Sequence, residues 1–367
     1  KKVLVAGCLP KISRELLENQ NSAMVSPDTI EEIPKALREL EKGEKPVYIE
    51  KNSNKKNKSK LEMKKVTRKG ITAIIPISDG CLGNCSYCGV KNARGNLKSY
   101  SEKQIIEETR KLVEKGKKQI YITGQDTGCY GKDKGNTEIS QLIQKMTEIK
   151  GNFKLRVGMM NPEHLKEHKK QRRLIESIKN PKVYKFLHIP VQSGSNKVLK
   201  DMNRRYTSEE FKEIIGNFEE EIENLNLATD IIVGYPTEQE EEFQETINLI
   251  KEIKPDITNI SRFYPRPNTK AEKLEPHTSQ ILKKRSKKLS EITRKISKNK
   301  NKSYLDQELE VLITKQRRDK IIGRAQNYKK IQVEGNKCKL PEKGETVKVK
   351  IIDVGSRGLR GKMIEEI

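Results

Sequence analysis

No apolar run in this chain reaches the roughly 18 residues that a membrane-spanning helix requires. A secretory leader is also missing, because the first eight residues, KKVLVAGC, are typical of a charged edge that runs into a short buried strand. The chain lacks an initiator Met, and we therefore expect it to be a fragment with further residues before Lys1. These absences predict a cytoplasmic protein without a membrane partner.

Acidic residues are too few to balance the basic ones. The chain has 76 Lys and Arg against 51 Asp and Glu, a formal net charge of +25. The excess is concentrated: residues 51–69 hold nine basic and one acidic residue, and residues 276–302 hold ten basic and one acidic. A polyanionic partner, most simply a nucleic acid, is the functional interpretation. A Lys- and Asn-rich bias of the source proteome is the alternative.

Cysteine is scarce, yet three of the six cysteines, Cys81, Cys85 and Cys88, lie within eight residues. A secreted disulfide scaffold would be short and would carry a leader, so metal ligation in a reducing cytosol is favoured. The C-x3-C-x2-C spacing puts three thiolates on one loop, and thiolates are the ligands of iron–sulfur clusters. Three thiolates on a four-iron cluster leave one iron without a protein ligand, so that iron can bind a small molecule. Zinc is the alternative, but it usually takes four ligands, and no fourth Cys or His lies near in sequence.

Strands and helices alternate between residues 70 and 265. The predicted strands are 71–77, 119–123, 154–160, 186–191, 228–233 and 257–263. The patterns Ser101-x-x-Gln104 and Thr207-x-x-Glu210 predict capping boxes at two helix starts. Six such units predict an incomplete, TIM-like (β/α)6 barrel that is open along one side, with the cysteine loop at the carboxyl edge of its strands.

Other regions differ in pattern from this alternation. Residues 1–50 look like the end of an α/β domain, and residues 51–69 like a basic linker. We assign residues 70–300 to the partial barrel. Residues 303–367 contain short β-rich runs separated by Gly and Pro, which predicts a small all-β barrel.

Several polar side chains follow the predicted strands, where catalysis in a parallel barrel takes place. The candidates for contacts with a bound cofactor are Tyr87, Gln125, Asp126, Gln192, Ser193, Arg204 and Asp230. An arginine such as Arg204 could pair with a carboxylate, and Tyr87 could stack on an adenine. Turn chemistry and ordinary loop packing are the alternatives. Cys8 is either a buried thiol or one ligand of a second cluster, and a role for Cys129 stays open.

The order of the motifs resembles a known family. The cysteine loop CLGNCSYCGVKNARGNLKSY is followed by TGQDTGCYG, LRVGM, HIPVQSGS, TDIIVGYP and FYPRP. This series is similar to the methylthiotransferases, and most to the archaeal and eukaryotic branch that acts on N6-threonylcarbamoyladenosine in tRNA. Residues 303–367 resemble a TRAM domain, which binds tRNA.

The resemblance implies radical S-adenosylmethionine (SAM) chemistry that converts N6-threonylcarbamoyladenosine, next to the anticodon, to its 2-methylthio derivative. It implies two 4Fe-4S clusters. One, on Cys81, Cys85 and Cys88, cleaves SAM. The auxiliary one includes Cys8 and needs ligands that this chain lacks. The implied partners are tRNA, an electron donor such as a flavodoxin or ferredoxin, and a sulfur donor. The missing C-terminal anchor of the eukaryotic members favours an archaeal source.

Two other functions stay open. One is the sister reaction on another tRNA adenosine or a ribosomal protein, which the ARGNL and TGQDTG stretches disfavour. The other is an RNA-binding protein whose cluster is only structural, which release of 5′-deoxyadenosine would exclude. For tRNA binding, we expect phosphate contacts from Arg317, Arg318, Arg324, Lys329 and Lys330. We also expect that deleting residues 303–367 leaves SAM cleavage largely intact.

Overall fold

The structure, a computed structural model, describes residues 1–18, 22–50, 59–63, 69–135, 138–317, 320–334 and 340–366. The first fifty residues form a small α/β unit. Its elements are β1 (Leu4–Ala6), α1 (Leu9–Ile12), α2 (Arg14–Glu18), β2 (Ala23–Val25), a 3₁₀ helix (Pro27–Glu32), α3 (Ile33–Glu41) and β3 (Val47–Tyr48). The strands form a parallel sheet in the order β1-β2-β3. The predicted linker at 51–69 lies mostly outside the described residues.

The next part of the chain alternates strands and helices. Its elements are β4 (Thr72–Pro76), β5 (Ser78–Asp79), α4 (Val90–Arg94), β6 (Lys98–Ser99), α5 (Glu102–Glu114), β7 (Gln119–Thr123), a 3₁₀ helix (Thr127–Cys129), α6 (Ile139–Thr147), β8 (Lys154–Val157), a 3₁₀ helix (Pro162–Leu165), α7 (His168–Lys179), β9 (Phe186–His188), α8 (Asn196–Asp201), α9 (Ser208–Glu221), β10 (Asn226–Val233), α10 (Glu240–Ile253), β11 (Ile257–Arg262), a 3₁₀ helix (Lys270–Lys273) and α11 (Ser279–Lys302).

Six of these strands form an open parallel barrel in chain order. β4, β7 and β8 pair side by side, and so do β9, β10 and β11. A parallel bridge between Leu155 and Val183 joins the two halves. Among the described residues, β4 and β11 each have one strand neighbour, so they are the open edges. The predicted six-stranded partial barrel is confirmed. Its fourth strand ends early, at His188: the Ile189 N–H still donates to Ala228 O at 2.9 Å, but the next backbone bond to β10 comes from Gln192 and not from Val191, so the regular alternation is lost.

The two predicted capping boxes have different outcomes. Thr207 Oγ1 accepts from the Glu210 N–H at 3.2 Å, and Glu210 accepts from the Thr207 N–H at 2.9 Å, so α9 begins as predicted. Ser101 precedes α5, but its side chain caps no N–H. The Gln104 side chain donates instead to Glu62, a residue before β4. The capping-box prediction at Ser101 is therefore wrong.

The last part of the chain closes into the small barrel that the sequence predicts. Its strands are β12 (Glu308–Arg317), β13 (Lys320–Ala325), β14 (Lys330–Glu334), β15 (Thr346–Gly355) and β16 (Gly358–Glu366), in the order β12-β13-β14-β16-β15. The β-rich runs 310–314, 330–334 and 346–354 of the sequence predict β12, β14 and β15, but no run predicts β13 or β16, each of which contains an interior glycine. A Cβ on Gly323 would lie 2.1 Å from Val311 Cγ1, and one on Gly361 would lie 2.4 Å from Val349 Cγ1. These glycines allow close strand packing, which the sequence pattern does not distinguish from a break.

The turn between β13 and β14, residues 326–329, closes the floor of the partial barrel, and we call it the plug turn. The Tyr328 hydroxyl donates to the Tyr121 hydroxyl at 2.9 Å, and its ring centroid lies 5.0 Å from that of Phe186. Tyr328 has a φ of +65°, which is uncommon for an aromatic residue. Beside it, the buried Lys329 ammonium lies 2.6 Å from Asp256 Oδ1. The small barrel is therefore joined to the larger one by buried contacts.

The longest helix, α11, runs from the partial barrel to the small barrel. Within the described ranges, we find no helix that is both long and apolar enough to cross a membrane.

Candidate active site

The cysteine loop follows β4 and β5 at the carboxyl edge of the barrel. Its backbone is tied at both ends: the Cys81 N–H donates to Gly95 O at 3.3 Å, and the Ser86 N–H donates to Met202 O at 3.1 Å. Gly80 starts the loop with a φ of +70°, and a Cβ there would lie 2.1 Å from Asn96 O. Only glycine fits at this position, so the entry into the loop is fixed by its backbone.

The three thiols line one cavity of about 440 Å³, which we call the cluster pocket. Eight of the residues singled out from sequence line it: Cys81, Cys85, Tyr87, Cys88, Gln125, Asp126, Gln192 and Arg204. Residues that the sequence analysis did not single out also line it, among them Asn84, Ser86, Met159, Asn161, Pro190 and Asn268. The carboxyl ends of several strands thus converge on the cysteine loop, as in other parallel barrels.

All three cysteines border the same space. A Cβ on Gly83 would lie 3.3 Å from Cys81 Sγ and 3.7 Å from Cys85 Sγ, so glycine keeps the space between the two sulfurs free. Burial raises the pKa of the Cys81 thiol to about 11, although the Gly83 N–H, which donates to its sulfur at 3.2 Å, opposes the shift. Burial also raises the pKa of Cys88. Buried thiols are readily deprotonated when they bind a cationic metal, and this donor set fits an iron–sulfur cluster.

Arg204 connects the cysteine loop to the opposite wall of the pocket. Its guanidinium donates to Cys85 Sγ at 3.2 Å, Asn161 Oδ1 at 2.9 Å and Pro190 O at 3.4 Å. Burial opposes the charge of Arg204, but the surrounding Tyr206, Tyr87 and Cys85 raise its pKa, so it stays protonated. Asn161 follows the third barrel strand and was not among the candidates. Its position as a polar residue at a strand end could have identified it.

The glutamines at the strand ends leave polar groups available to a ligand. Gln125 Oε1 is buried at the pocket and has no hydrogen-bond partner among the described residues, so it can accept from an ammonium or hydroxyl group of a bound molecule. Gln192 has a φ of +72°. Its backbone makes two hydrogen bonds with β10: its N–H donates to Asp230 O at 2.8 Å, and its carbonyl accepts from the Ile232 N–H at 3.0 Å. A left-handed non-glycine residue costs roughly 1–3 kcal/mol and is typical of functional sites.

Ser193 and Asp230 do not line the cluster pocket. Ser193 is fully buried and contacts Thr246 of α10, with 3.3 Å between their hydroxyl oxygens. The Asp230 carboxylate lies inside the barrel, 2.8 Å from His188 Nε2, and accepts from the Asn259 amide at 2.7 Å. Burial raises the pKa of Asp230, but His188 and Asn259 outweigh it, so the pKa is lowered overall. Ser193 has a packing role, and Asp230 faces the barrel interior.

Asp126, Cys129 and His164 form a buried group next to the cluster pocket, with ligand atoms close enough together to suggest a metal site. The Lys132 ammonium lies 2.7 Å from His164 Nδ1 and can only donate to it. His164 Nε2 lies 3.1 Å from Asp126 Oδ2, but neither atom has a hydrogen-bond partner among the described residues. Asp126 Oδ1 accepts the Gly128 N–H at 3.0 Å and the Asn161 N–H at 3.1 Å. Backbone groups at two strand ends therefore orient Asp126 beside the cluster pocket.

Cys8 lies in the N-terminal unit and does not line the cluster pocket. It precedes α1, which packs against α4, the helix that directly follows the cysteine loop. Burial opposes the charge of Arg94 in α4, but Asp79 and Cys8 together raise the pKa of the arginine. Cys8 therefore faces the cysteine-loop side of the partial barrel.

Comparisons with known proteins agree with this geometry. Residues 75–250 match the Radical SAM superfamily, and residues 302–364 match the TRAM domain. The chain is 41% identical to a Pyrococcus horikoshii protein named "Probable threonylcarbamoyladenosine tRNA methylthiotransferase", over 99% of this chain and 84% of that protein. It is 34% identical to the threonylcarbamoyladenosine tRNA methylthiotransferase of Mus musculus, over 100% of this chain and 63% of that protein.

One solved structure shows the same fold at low identity. It is that of the cobalamin-dependent S-adenosylmethionine radical enzyme OxsB with aqua-cobalamin bound. The TM-score is 0.50 at 15% identity, over 80% of this chain and 43% of that one.

Proposed function

Because this chain belongs to the family of threonylcarbamoyladenosine tRNA methylthiotransferases, we propose that it adds a methylthio group to C2 of N6-threonylcarbamoyladenosine next to the anticodon of tRNA. The observation that carries the proposal is the cluster pocket, where three cysteines from one loop face the polar ends of three other strands. A TRAM domain on the same chain supports tRNA as the substrate.

When bound, a four-iron cluster on Cys81, Cys85 and Cys88 together with SAM supplies one-electron radical chemistry. The residues of the chain would bind and orient SAM and exclude water from the pocket. Arg204 keeps Cys85 against the far wall, and Gln125 offers an unoccupied acceptor to SAM. Tyr87 and Asp126, which also line the pocket, would contact the same molecule.

We also propose an auxiliary 4Fe-4S cluster with Cys8 as one ligand. The support is the position of Cys8 against Arg94, on the side of the N-terminal unit that faces the cysteine loop. The reaction needs an electron donor, such as a flavodoxin or ferredoxin, and a sulfur donor. A tRNA substrate and thiols that must stay reduced fit a cytoplasmic enzyme.

The test has two stages. The anaerobically reconstituted protein is first reduced in the presence of SAM, and 5′-deoxyadenosine is measured. If no 5′-deoxyadenosine is released, the protein is an RNA-binding protein whose cluster is only structural. Nucleosides from the tRNA of a strain lacking the gene are then analysed by mass spectrometry. Loss of the 2-methylthio derivative is expected, whereas its persistence would favour the sister reaction on another tRNA adenosine or a ribosomal protein.

A further inference from the structure

A second cavity lies between the two barrels, on the far side of the open edge strand β11. It has a volume of about 500 Å³. Its walls come from β11, from α11 and from the small barrel, and we call it the basic groove. The residues that matter for its chemistry are Asn226, Thr258, Arg294, Arg324, Lys330 and Arg357.

The cationic side chains of the groove are available for a ligand. Among the described residues, Arg294, Lys330 and Arg357 are exposed and form no ion pair with a carboxylate. Arg324 is fixed at the groove wall, where it lies 4.2 Å from the ring centroid of Tyr328. The acidic residue at the groove, Asp256, is already neutralised by the ammonium groups of Lys300 and Lys329.

Within the part of the chain that the structure describes, two buried oxygens in the same groove have no hydrogen-bond partner. Asn226 is 1% exposed, and its Nδ2 donates to Asn327 O at 2.9 Å, which fixes the orientation of the amide. Its Oδ1 is left without a donor, and so is the Thr258 hydroxyl one strand away. Buried polar atoms are nearly always satisfied, so two unpaired oxygens beside a set of cations indicate a ligand that carries both hydroxyl donors and negative charge.

We propose that the basic groove binds the ribose–phosphate backbone of the tRNA substrate. Phosphates meet Arg294, Lys330 and Arg357, and ribose 2′-hydroxyls contact Asn226 Oδ1 and the Thr258 hydroxyl. The 2′-hydroxyl is the group by which a protein distinguishes RNA from DNA. This inference rests on the proposed function and deepens it, because it gives a surface on which the substrate is held.

The groove runs along β11, an open edge of the partial barrel. Asn226 begins β10 and Asp256 directly precedes β11, so this part of the groove lies at the amino ends of the two strands. Asn259, which also lines the groove, donates its amide N–H to Asp230 at 2.7 Å. Because β11 runs from this end to the carboxyl edge, an RNA strand bound along it would extend toward the cluster pocket.

The test is the salt dependence of binding of an unmodified tRNA transcript. The double variant R294A/R357A removes two cations, and the control K284A/K295A removes two exposed cations from α11 that do not line the groove. The groove variant should bind roughly tenfold more weakly, as expected for losing charge-assisted hydrogen bonds. The slope of log affinity against log salt should fall by about 2, one unit for each lost phosphate contact. Equal affinity and equal slope for the two variants would contradict the proposal that the basic groove binds RNA.

A second variant tests recognition of the ribose. T258V keeps the shape of the side chain and removes the hydroxyl. It should reduce the preference for an RNA strand over a DNA strand of the same sequence. An unchanged preference, or a wild-type protein with none, would contradict the hydroxyl contact.

These outcomes differ from a failure of the proposed function. Release of 5′-deoxyadenosine without tRNA should be equal in R294A/R357A and wild type. If the wild type binds the transcript and the groove variant binds equally well, only the groove is wrong. If the wild type does not bind tRNA at all, the proposed function fails as well.

Discussion

The cluster pocket and the basic groove use positive charge in different ways. Arg204 in the pocket is held by four acceptors and lies among aromatic rings. Arg294 and Arg357 in the groove are exposed and reach no carboxylate among the described residues. A side chain that shapes a site has its partners within the protein, whereas a side chain that binds a polyanion is left for the partner to pair. The difference predicts which substitutions affect stability and which affect binding.

The largest expected effect is on the cluster itself. Replacing Cys81, Cys85 and Cys88 with Ala should abolish binding of roughly four iron atoms per chain, because no thiolate remains in the pocket. Iron is counted after anaerobic reconstitution. C129A is the control, since Cys129 is buried, donates to Asp126 O at 3.1 Å and does not line the pocket. A four-iron cluster that still forms at the barrel site in the triple variant would contradict the assignment.

Arg204→Met should lower the free energy of unfolding by about 4 kcal/mol, because four acceptors of charge-assisted hydrogen bonds lose their donor. Its neighbour Arg205 is 68% exposed and lies 3.2 Å from Glu163, so R205M should change the same quantity by about 0.5 kcal/mol or less. Urea denaturation of both variants measures the contrast. Similar losses would show that Arg204 does not brace the pocket.

Lys329→Met should lower the free energy of unfolding by about 3 kcal/mol, because it removes one partner of a buried ion pair. The loss is smaller than for Arg204, since Lys300 remains 2.9 Å from Asp256 Oδ2. K330M changes the next, exposed residue and should stay within about 0.5 kcal/mol of wild type. Thermal unfolding of both variants measures the difference. A K329M protein as stable as wild type would contradict a stabilising role of the ion pair between Lys329 and Asp256.

The smallest effect is that of K330A on tRNA binding. We expect unchanged stability and a salt slope that is lower by about 1, corresponding to one phosphate contact. The affinity of the tRNA transcript across a series of KCl concentrations measures it. A slope equal to that of wild type would remove Lys330 from the groove contacts.

Sequence patterns predicted the partial barrel, the small barrel and the grouping of the three cysteines, because apolar periodicity and ligand spacing are local properties. They failed where the answer depends on distant residues. Thr207 caps its helix and Ser101 does not, since Gln104 is drawn to Glu62 from another segment.

The basic residues show the same limit. Arg324, Lys329 and Lys330 were all expected to bind phosphate and all line the groove, but the Lys329 ammonium is buried against Asp256. The position of Arg318 lies outside the described residues, and so does the side chain of Arg317. Composition does not reveal which of two adjacent lysines has an acidic partner far away in the sequence.

The plug turn also changes what a truncation can test. Removing residues 303–367 would take Tyr328 away from Tyr121 and Phe186 and leave Asp256 without Lys329. The floor of the partial barrel would then be open to water. The expectation that such a truncation leaves SAM cleavage intact is therefore replaced by the point variants above.

Tyr328, held by ring contacts, and Lys329, held by a buried ion pair, prevent the small barrel from turning on a hinge. The distance between the basic groove and the cluster pocket is then fixed by the fold. If tRNA binds in the groove as proposed, the protein would select its target by the length of RNA between the bound backbone and the reacting base. A tRNA with one nucleotide inserted between these two points would still bind in the groove, but it would present the wrong base to the cysteines.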